Sequence, residues 1–434
     1  MGAILRARLL AFKHMRRPSV RFLGDDARRI ACRIAERIAA RGARAWIVGG
    51  SLRDLALGGT PEDVDMASAL PPEQLADLFE RTVEVGKAFG TVVVHLEGHD
   101  VQVTTFRTET GYSDRRRPDR VEWGTSVEED AARRDFTVNA LYLDPLADEL
   151  ADPEGGLADL EARRLRCVGE PARRFREDGL RLLRLGRFAA GLDFEVEQHT
   201  LEAARAERHA LAGVSGERVA EELRRVLARP RARRAFELFD DLGLLDEALP
   251  GVVADPAERA LRWRVLGRLE PAPGFEEGLI LLAEVGSDGG RDAAAGFERL
   301  HLSREESRTV ARLGELLAAL RTLPPDAGRA TRVRLVRDPL WPRAARLARA
   351  LFAERGAAEA DPAPLLAFAA SLAPGDLSPA PFVTSDDLAR SGLPRGPQWG
   401  RVLEEAESLQ LEGELASREA ALAWLAGRVA ASLG

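Results

Sequence analysis

Cysteine is nearly absent from this chain, with only Cys32 and Cys167 among 434 residues. Two thiols cannot build a disulfide framework or a cysteine zinc site, and they fit a reducing compartment. Lysine occurs only at Lys13 and Lys87, so arginine supplies nearly all the positive charge. The six histidines are scattered, with no pair at metal-ligand spacing on an expected helix. No run approaches the roughly 18 apolar residues that a membrane span needs. Basic residues are outnumbered, and the net charge of −7 taken alone argues against a nucleic-acid partner.

What is present is an ordinary globular balance, 45% hydrophobic and 31% charged. The length exceeds what one core supports, so two to four structural units are expected. Charge is unevenly spread: Arg163–Arg187 and Arg321–Arg355 each hold nine arginines against three acids. Phosphate contacts use one face only, so such stretches leave room for a basic channel; otherwise arginine is simply the default cation. Met1–Phe22 carries Arg6, Arg8, Lys13, Arg16, Arg17 and Arg21 and no acid, and reads as a flexible basic tail rather than a transit peptide. These features describe a soluble cytoplasmic protein that does not enter a membrane, monomeric or homodimeric.

Along the chain, Ile30, Ile34 and Ile38 mark one face of a helix over Asp25–Ala40. Ala45–Val48 is a short buried strand ended by Gly49-Gly50, and Ser51 opens a helix, Leu52–Leu57. Val64–Met66 forms the centre of a further strand, and Thr91–Leu96 with Asp100–Arg107 alternates like a hairpin. After Asp144-Pro145 strand signals vanish and Ala/Leu/Arg/Glu-rich amphipathic segments continue to the end. The expectation is an α+β protein: a small mixed sheet with helices, then an all-helical remainder.

Four motifs carry chemistry. In Gly49-Gly50-Ser51-Leu52-Arg53-Asp54, two glycines between strand and helix let a phosphate approach the backbone, and Arg53 adds a cation. Asp63 and Asp65, at i and i+2 on a strand, place two carboxylates on one face, where they can hold two divalent metals. In the run from Glu128 to Ala140, Arg133-Arg134-Asp135 suits an ionic clamp between domains, one arginine remaining free for a ligand. In Glu177–Phe188, read as one helix, Asp178, Arg181, Arg184 and Arg187 stack along one face, able to offer planar donors to a base and charge to phosphates. Each string taken alone also reads as a tight corner, a solvated edge or intrahelical pairing.

Their order and spacing resemble the class II tRNA nucleotidyltransferases, relatives of bacterial poly(A) polymerase in the polymerase-beta-like superfamily. The match spans about Trp46–Arg225, through GGSLRD, EDVDMA, TTFRTETGYSDRRRPDRVEW, EEDAARRDFTVNALYLDP, DPEGGLADL and RFREDGLRLLRLGRFAAGLDF. The resemblance implies a head at 25–145 after a basic tail at 1–24, a neck at 146–215, a body at 216–330 and a tRNA-binding tail at 331–434. It implies that Asp63 and Asp65 bind two Mg²⁺ ions and that Gly50 and Arg53 hold the triphosphate, with Gly49 and Ser51 also nucleotide-binding. Arg134 would contact the nucleotide, and Asp178 and Arg181 would hydrogen-bond the incoming base in place of a template, with Arg184 and Arg187 lining the same pocket. Asp135 and Asn139 would serve the domain clamp. Gln102 stands where relatives often carry an acid. The implied reaction extends the tRNA 3′ end with CTP and ATP. Thr108–Arg120 resembles the complete flexible loop that CC-adding enzymes tend to lack, and EDGLR keeps the acid and arginine expected for choosing both C and A. CCA addition therefore leads, A-addition and then poly(A) synthesis follow, and the retained Asp63 and Asp65 disfavour non-catalytic RNA binding.

Overall fold

The computed structural model describes residues 15–61, 63–84, 90–110, 120–250, 256–269, 272–283, 297–356 and 361–433. Two compact units emerge, Met1–Pro250 and Gly251–Gly434.

The first unit is built on a seven-stranded sheet. Its strands are β1 (Ala45–Val48), β2 (Asp65–Ser68), β3 (Thr82–Glu84), β4 (Thr91–Leu96), β5 (His99–Thr105), β8 (Tyr142–Asp144) and β9 (Glu149–Ala151), in the order β3-β4-β5-β2-β1-β8-β9. β2 and β5 run parallel, and the other neighbours are antiparallel. β6 (Arg107–Thr110) and β7 (Arg120–Trp123) form a separate ribbon, and β10 (Arg164–Leu165) pairs with β11 (Glu195–Val196). The expected hairpin strand therefore stops at Thr105, because the chain leaves the sheet at Phe106 and Arg107 opens the ribbon. Strand structure also continues past Pro145, where β9 closes the sheet.

Helix α1 (Asp25–Ala39) buries Ala27, Ile30, Ala31, Ile34, Ala35 and Ile38, one stripe at helical spacing, against β1. Asp25 and Asp26 in its first turn complement the helix dipole. The stretch expected as a free tail is tied down from Arg16 onward: Arg16 donates to the carbonyls of Leu55 and Gly59, and Ser19 donates to Asp148. Residues 1–14 lie outside the described residues.

α2 (Gly50–Ala56), α3 (Pro72–Ala76), α4 (Val127–Ala132) and α5 (Gly156–Glu161) surround the sheet. A helical layer follows: α6 (Pro171–Glu177), α7 (Leu180–Leu192), α8 (Gln198–Ala206), α9 (Gly216–Leu227), α10 (Ala232–Asp241) and α11 (Leu244–Ala248). α7 is buried on most sides, packed between α9 and α10. The core beneath the sheet gathers Trp46, Val48, Phe106, Val127 and Tyr142.

The second unit is helical throughout its described residues, from α12 (Pro256–Arg268) through α13 (Phe275–Leu282), α14 (Arg304–Thr322), α15 (Arg329–Val336), α16 (Trp341–Arg355), α17 (Ala363–Ser371), α18 (Pro374–Leu377), α19 (Ser385–Arg390) and α20 (Gln398–Glu412) to α21 (Arg418–Leu433). Its arginine-rich stretch is partly paired with acids from other helices: Arg334 and Arg337 pair with Glu407, Arg343 with Glu276 and Arg346 with Glu277.

Candidate active site

β1 is buried along its length and ends at Val48. Gly49 follows at φ 78°, a conformation that L side chains resist, and lets the chain enter α2 directly at Gly50. The helix thus starts two residues earlier than expected. Ser51 does not cap it: its hydroxyl donates back to the Val48 carbonyl at 3.2 Å. Arg53 is buried, with Nη1 donating to Asn139 Oδ1 at 2.8 Å and Nε to Asp54 at 3.0 Å. Its guanidinium lies beside Gly50, which has no side chain to intervene.

Asp65 opens β2 and lies directly across from Val48 in the antiparallel register, so the sheet sets a carboxylate beside the glycine turn. On its other side, the parallel register Met66↔Val103 brings Gln102 of β5 level with it. Asp65 faces a cleft of about 630 Å³ that Gly49, Gly50, Arg53, Gln102 and Arg134 also line. Its carboxyl is raised above the usual carboxylate range, mainly by desolvation and further by Asp63, while Arg134 pulls the other way. Asp63 is exposed and sits just ahead of the strand rather than within it. It does not line the cleft itself, but its charge is felt at Asp65.

Arg133 and Arg134, one of which is expected to be free, both bond Asp130, which is wholly buried within α4. Arg134 Nε also donates to the Tyr142 hydroxyl at 2.8 Å, and Nη1 to the Asn139 carbonyl at 3.1 Å. Burial alone would favour a neutral Asp130, but Arg133, Arg134 and the Tyr142 hydroxyl hold its carboxyl below the ordinary value. Arg134 therefore reaches the cleft with a fixed charge and a fixed orientation.

Asp135 and Asn139 join the sheet side of the cleft to the helical side. Asn139 Nδ2 donates to Asp135 Oδ1 at 3.1 Å, and Arg184 Nε of α7 donates to Asp135 Oδ2 at 2.8 Å. Burial would raise the Asp135 carboxyl, yet Arg184, Asn139 and the Phe136 N–H bring it down to about 2. A continuous chain of bonds thus runs from Arg53 through Asn139 and Asp135 to Arg184.

The helix expected over Glu177–Phe188 is broken. α6 ends at Glu177, Asp178 is extended at φ −145° and ψ 101°, and α7 begins at Leu180. At the break the Ala210 backbone packs so closely against Gly179 that a Cβ there would collide with its carbonyl. Asp178 is consequently not stacked on the arginines that follow it. Both its oxygens are taken by Arg218 of α9, at 3.1 and 2.8 Å, and its Oδ1 also accepts from the Leu180 N–H. Arg181 donates to the Arg174 carbonyl, to Glu177 and to the Arg133 carbonyl. Arg187 pairs with Glu222, both side chains buried. All four residues do line the cleft. Sequence reasoning missed Arg218 and Glu222, whose partners lie 40 and 35 residues away with no local spacing to betray them.

Whether Asp63 and Asp65 suit a divalent ion can be judged from the donors. Hard cations take carboxylate oxygen, and Mg²⁺ commonly uses one or two protein carboxylates plus substrate phosphates. Among the described residues no cluster of three or more metal-ligating side chains occurs, and Asp63 and Asp65 are linked by the charge of one being felt at the other. The raised Asp65 carboxyl, crowded by Asp63, is the electrostatic setting that a cation relieves.

Comparison with known proteins fits this geometry. The model of the Poly A polymerase head domain matches residues 45–166, and that of the "Probable RNA and SrmB- binding site of polymerase A" matches 193–255. The CCA-adding enzyme of Bacillus pumilus is 43% identical over 214 residues, 49% of this chain and 53% of that protein. That of Streptococcus thermophilus is 44% identical over 234 residues, 52% of this chain and 58% of that protein. The chain thus spans about half the length of the curated relatives it matches. The crystal structure of the Bacillus stearothermophilus CCA-adding enzyme in complex with CTP superposes with a TM-score of 0.72 at 30% identity, covering 93% of this chain and 97% of that one. The Thermotoga maritima CCA-adding enzyme complexed with tRNA shares the fold, at a TM-score of 0.66, 20% identity and 94% and 95% coverage. With head-domain, helical and near full-length likeness converging on one group, the chain belongs to the CCA-adding enzyme family, built on the poly(A) polymerase head domain.

Proposed function

We propose that this protein is a template-independent nucleotidyltransferase that adds or repairs the 3′-terminal CCA of tRNA from CTP and ATP. One observation carries the reading: the glycine turn with Arg53, the carboxylate of Asp65 and the Asp178–Arg181 pair open into the same cleft. The CTP complex of the Bacillus stearothermophilus relative and the tRNA complex of the Thermotoga maritima relative support it by similarity.

In this reading Gly49, Gly50, Ser51 and Arg53 hold the triphosphate, the backbone approaching because Gly49 and Gly50 present no side chain. Arg134, fixed by Asp130 and Tyr142, places a permanent charge against the nucleotide. Asp63 and Asp65 would hold two Mg²⁺ ions, which when bound would supply the charge that activates the attacking hydroxyl and neutralises the leaving group. The RNA 3′-hydroxyl loses its proton to solvent as its oxygen bonds to the α-phosphorus, the bridge to the β-phosphate breaks, and pyrophosphate departs with its electrons. Asp178 and Arg181 read the base, exchanging their present partners Arg218 and Glu177 for its polar edge, while Arg184 and Arg187 line the pocket behind. Asp135 and Asn139 keep the two walls in register. The residues at 25–145 act as head, 146–215 as neck, 216–330 as body and 331–434 as a tRNA-gripping tail, in the cytoplasm.

The test uses three tRNA transcripts, ending at the discriminator base, at C and at CC, each with CTP, ATP or both. Growth by three nucleotides from the bare end, and no further, is expected. A single A added only to the CC end makes it an A-adding enzyme, and long A-tails make it a poly(A) polymerase. No addition, unchanged in Asp63→Ala, overturns the enzymatic reading.

A further inference from the structure

The sheet order sets β2 between β1 and β5, so Asp65 has the glycine turn on one side and the β4–β5 pair on the other. An in-line displacement needs the attacking oxygen opposite the leaving pyrophosphate. If the triphosphate lies on the turn after β1, the RNA terminus must come from the β5 side. There, Thr91, Gln102, Thr104 and Arg107 line the cleft.

Just beyond them stands Trp123 at the end of β7. It is 39% exposed, the one aromatic among the exposed large apolar side chains of the described residues. Its ring lies across the backbone of Gly90, with Cζ3 only 2.6 Å from where a Cβ would sit and φ at +72°. Any other residue at 90 would displace the indole, so the backbone itself forms a floor for it. Trp123 is also the cross-strand partner of Arg107, which places both side chains on the same face of the β6–β7 ribbon.

We propose that Trp123 and Arg107 form the seat of the terminal base of the RNA primer, on the side of Asp65 away from the glycine turn. This deepens the nucleotidyl-transfer reading and rests on it. A supported indole beside a guanidinium is the chemistry that binds single-stranded RNA, through stacking on one group and phosphate attraction to the other. Stacking tolerates any base, because every base has a π-face. That tolerance suits a growing end whose last base changes after each addition, whereas the incoming base is read by polar groups on the opposite wall.

The test compares Trp123→Leu, which keeps apolar bulk over Gly90 but loses the π-face, with Trp123→Phe, which keeps a smaller one. With a CC-ended tRNA transcript and ATP, Trp123→Leu should raise the KM for RNA roughly tenfold, the scale of one lost stacking interaction. The KM for ATP should stay within about twofold, and Trp123→Phe should recover most of the loss. Fluorescence anisotropy of the labelled transcript without nucleotide should show the same order of affinities, so the seat is tested even if no nucleotide is added. Equal RNA affinity in wild type and both variants, or a rise in the ATP KM as large as that for RNA, overturns the proposal. Loss of wild-type addition with the affinity order intact would instead strike the catalytic reading.

Discussion

Replacing Asp135 by Asn preserves the shape of the side chain but removes the charge to which Arg184 is bound. The Asp135 carboxyl lies at about 2 instead of the ordinary 3.8. At roughly 1.4 kcal/mol per pH unit, that depression contributes about 2–3 kcal/mol to folding. Breaking a buried ion pair costs about 3–5 kcal/mol, and Arg184, with 30% of its side chain exposed, falls toward the lower end. Asp135→Asn should therefore lose ~2–4 kcal/mol at neutral pH. At about 2–4 °C per kcal/mol, the melting transition of the first unit should fall by about 4–16 °C, read by circular dichroism. A depressed carboxyl stabilises above its ordinary range, and the benefit fades as pH falls through the folded value. The gap between variant and wild type should thus be full at neutral pH, narrow below about pH 4 and close near pH 2. A variant as stable as wild type at neutral pH, or a gap that widens in acid, would refute this account of the junction.

Asp65→Asn should abolish nucleotide addition without lowering the melting temperature, because a raised carboxyl means that its ionised form costs the fold some stability above the ordinary range; a clear drop in melting temperature would contradict it. Arg187→Met or Glu222→Met alone should cost about 3–5 kcal/mol by leaving one buried charge unpaired, and the double variant should regain most of it in urea unfolding. Gly179→Ala should destabilise by about 1–3 kcal/mol through overpacking against Ala210 and raise the KM for CTP and ATP by moving Asp178. Wild-type stability and nucleotide KM in Gly179→Ala would show that the bend before α7 does not depend on that contact.

Much of the first unit was legible because its signals are local. The Ile30, Ile34, Ile38 spacing marks α1, alternation marks β4 and β5, and two glycines after a buried run mark the turn at the cleft. These depend on residues a few positions apart, whose periodicity needs no knowledge of the rest of the chain. The motif residues Asp65, Arg134, Asp178, Arg181, Arg184 and Arg187 were named from the sequence, and the fold brings all of them to one cleft.

Tertiary structure decided how they stand there. Asp178-Gly179, where Asp178 accepts from the Leu180 N–H, is a local break within Glu177–Phe188, but the close packing of the Ala210 backbone against Gly179 comes from the fold. Spacing does not reveal that Asp178 answers to Arg218, Arg184 to Asp135 and Arg187 to Glu222, since those pairs are 40, 49 and 35 residues apart. An arginine in a sequence carries a charge and a reach, but its partner is whichever acid the packing of other elements brings within hydrogen-bond distance. The sequence thus determined which chemical groups this protein has and on which local elements they ride. Only the folded chain decided which of those groups are held by each other, because burial makes an unpaired charge too costly to leave alone.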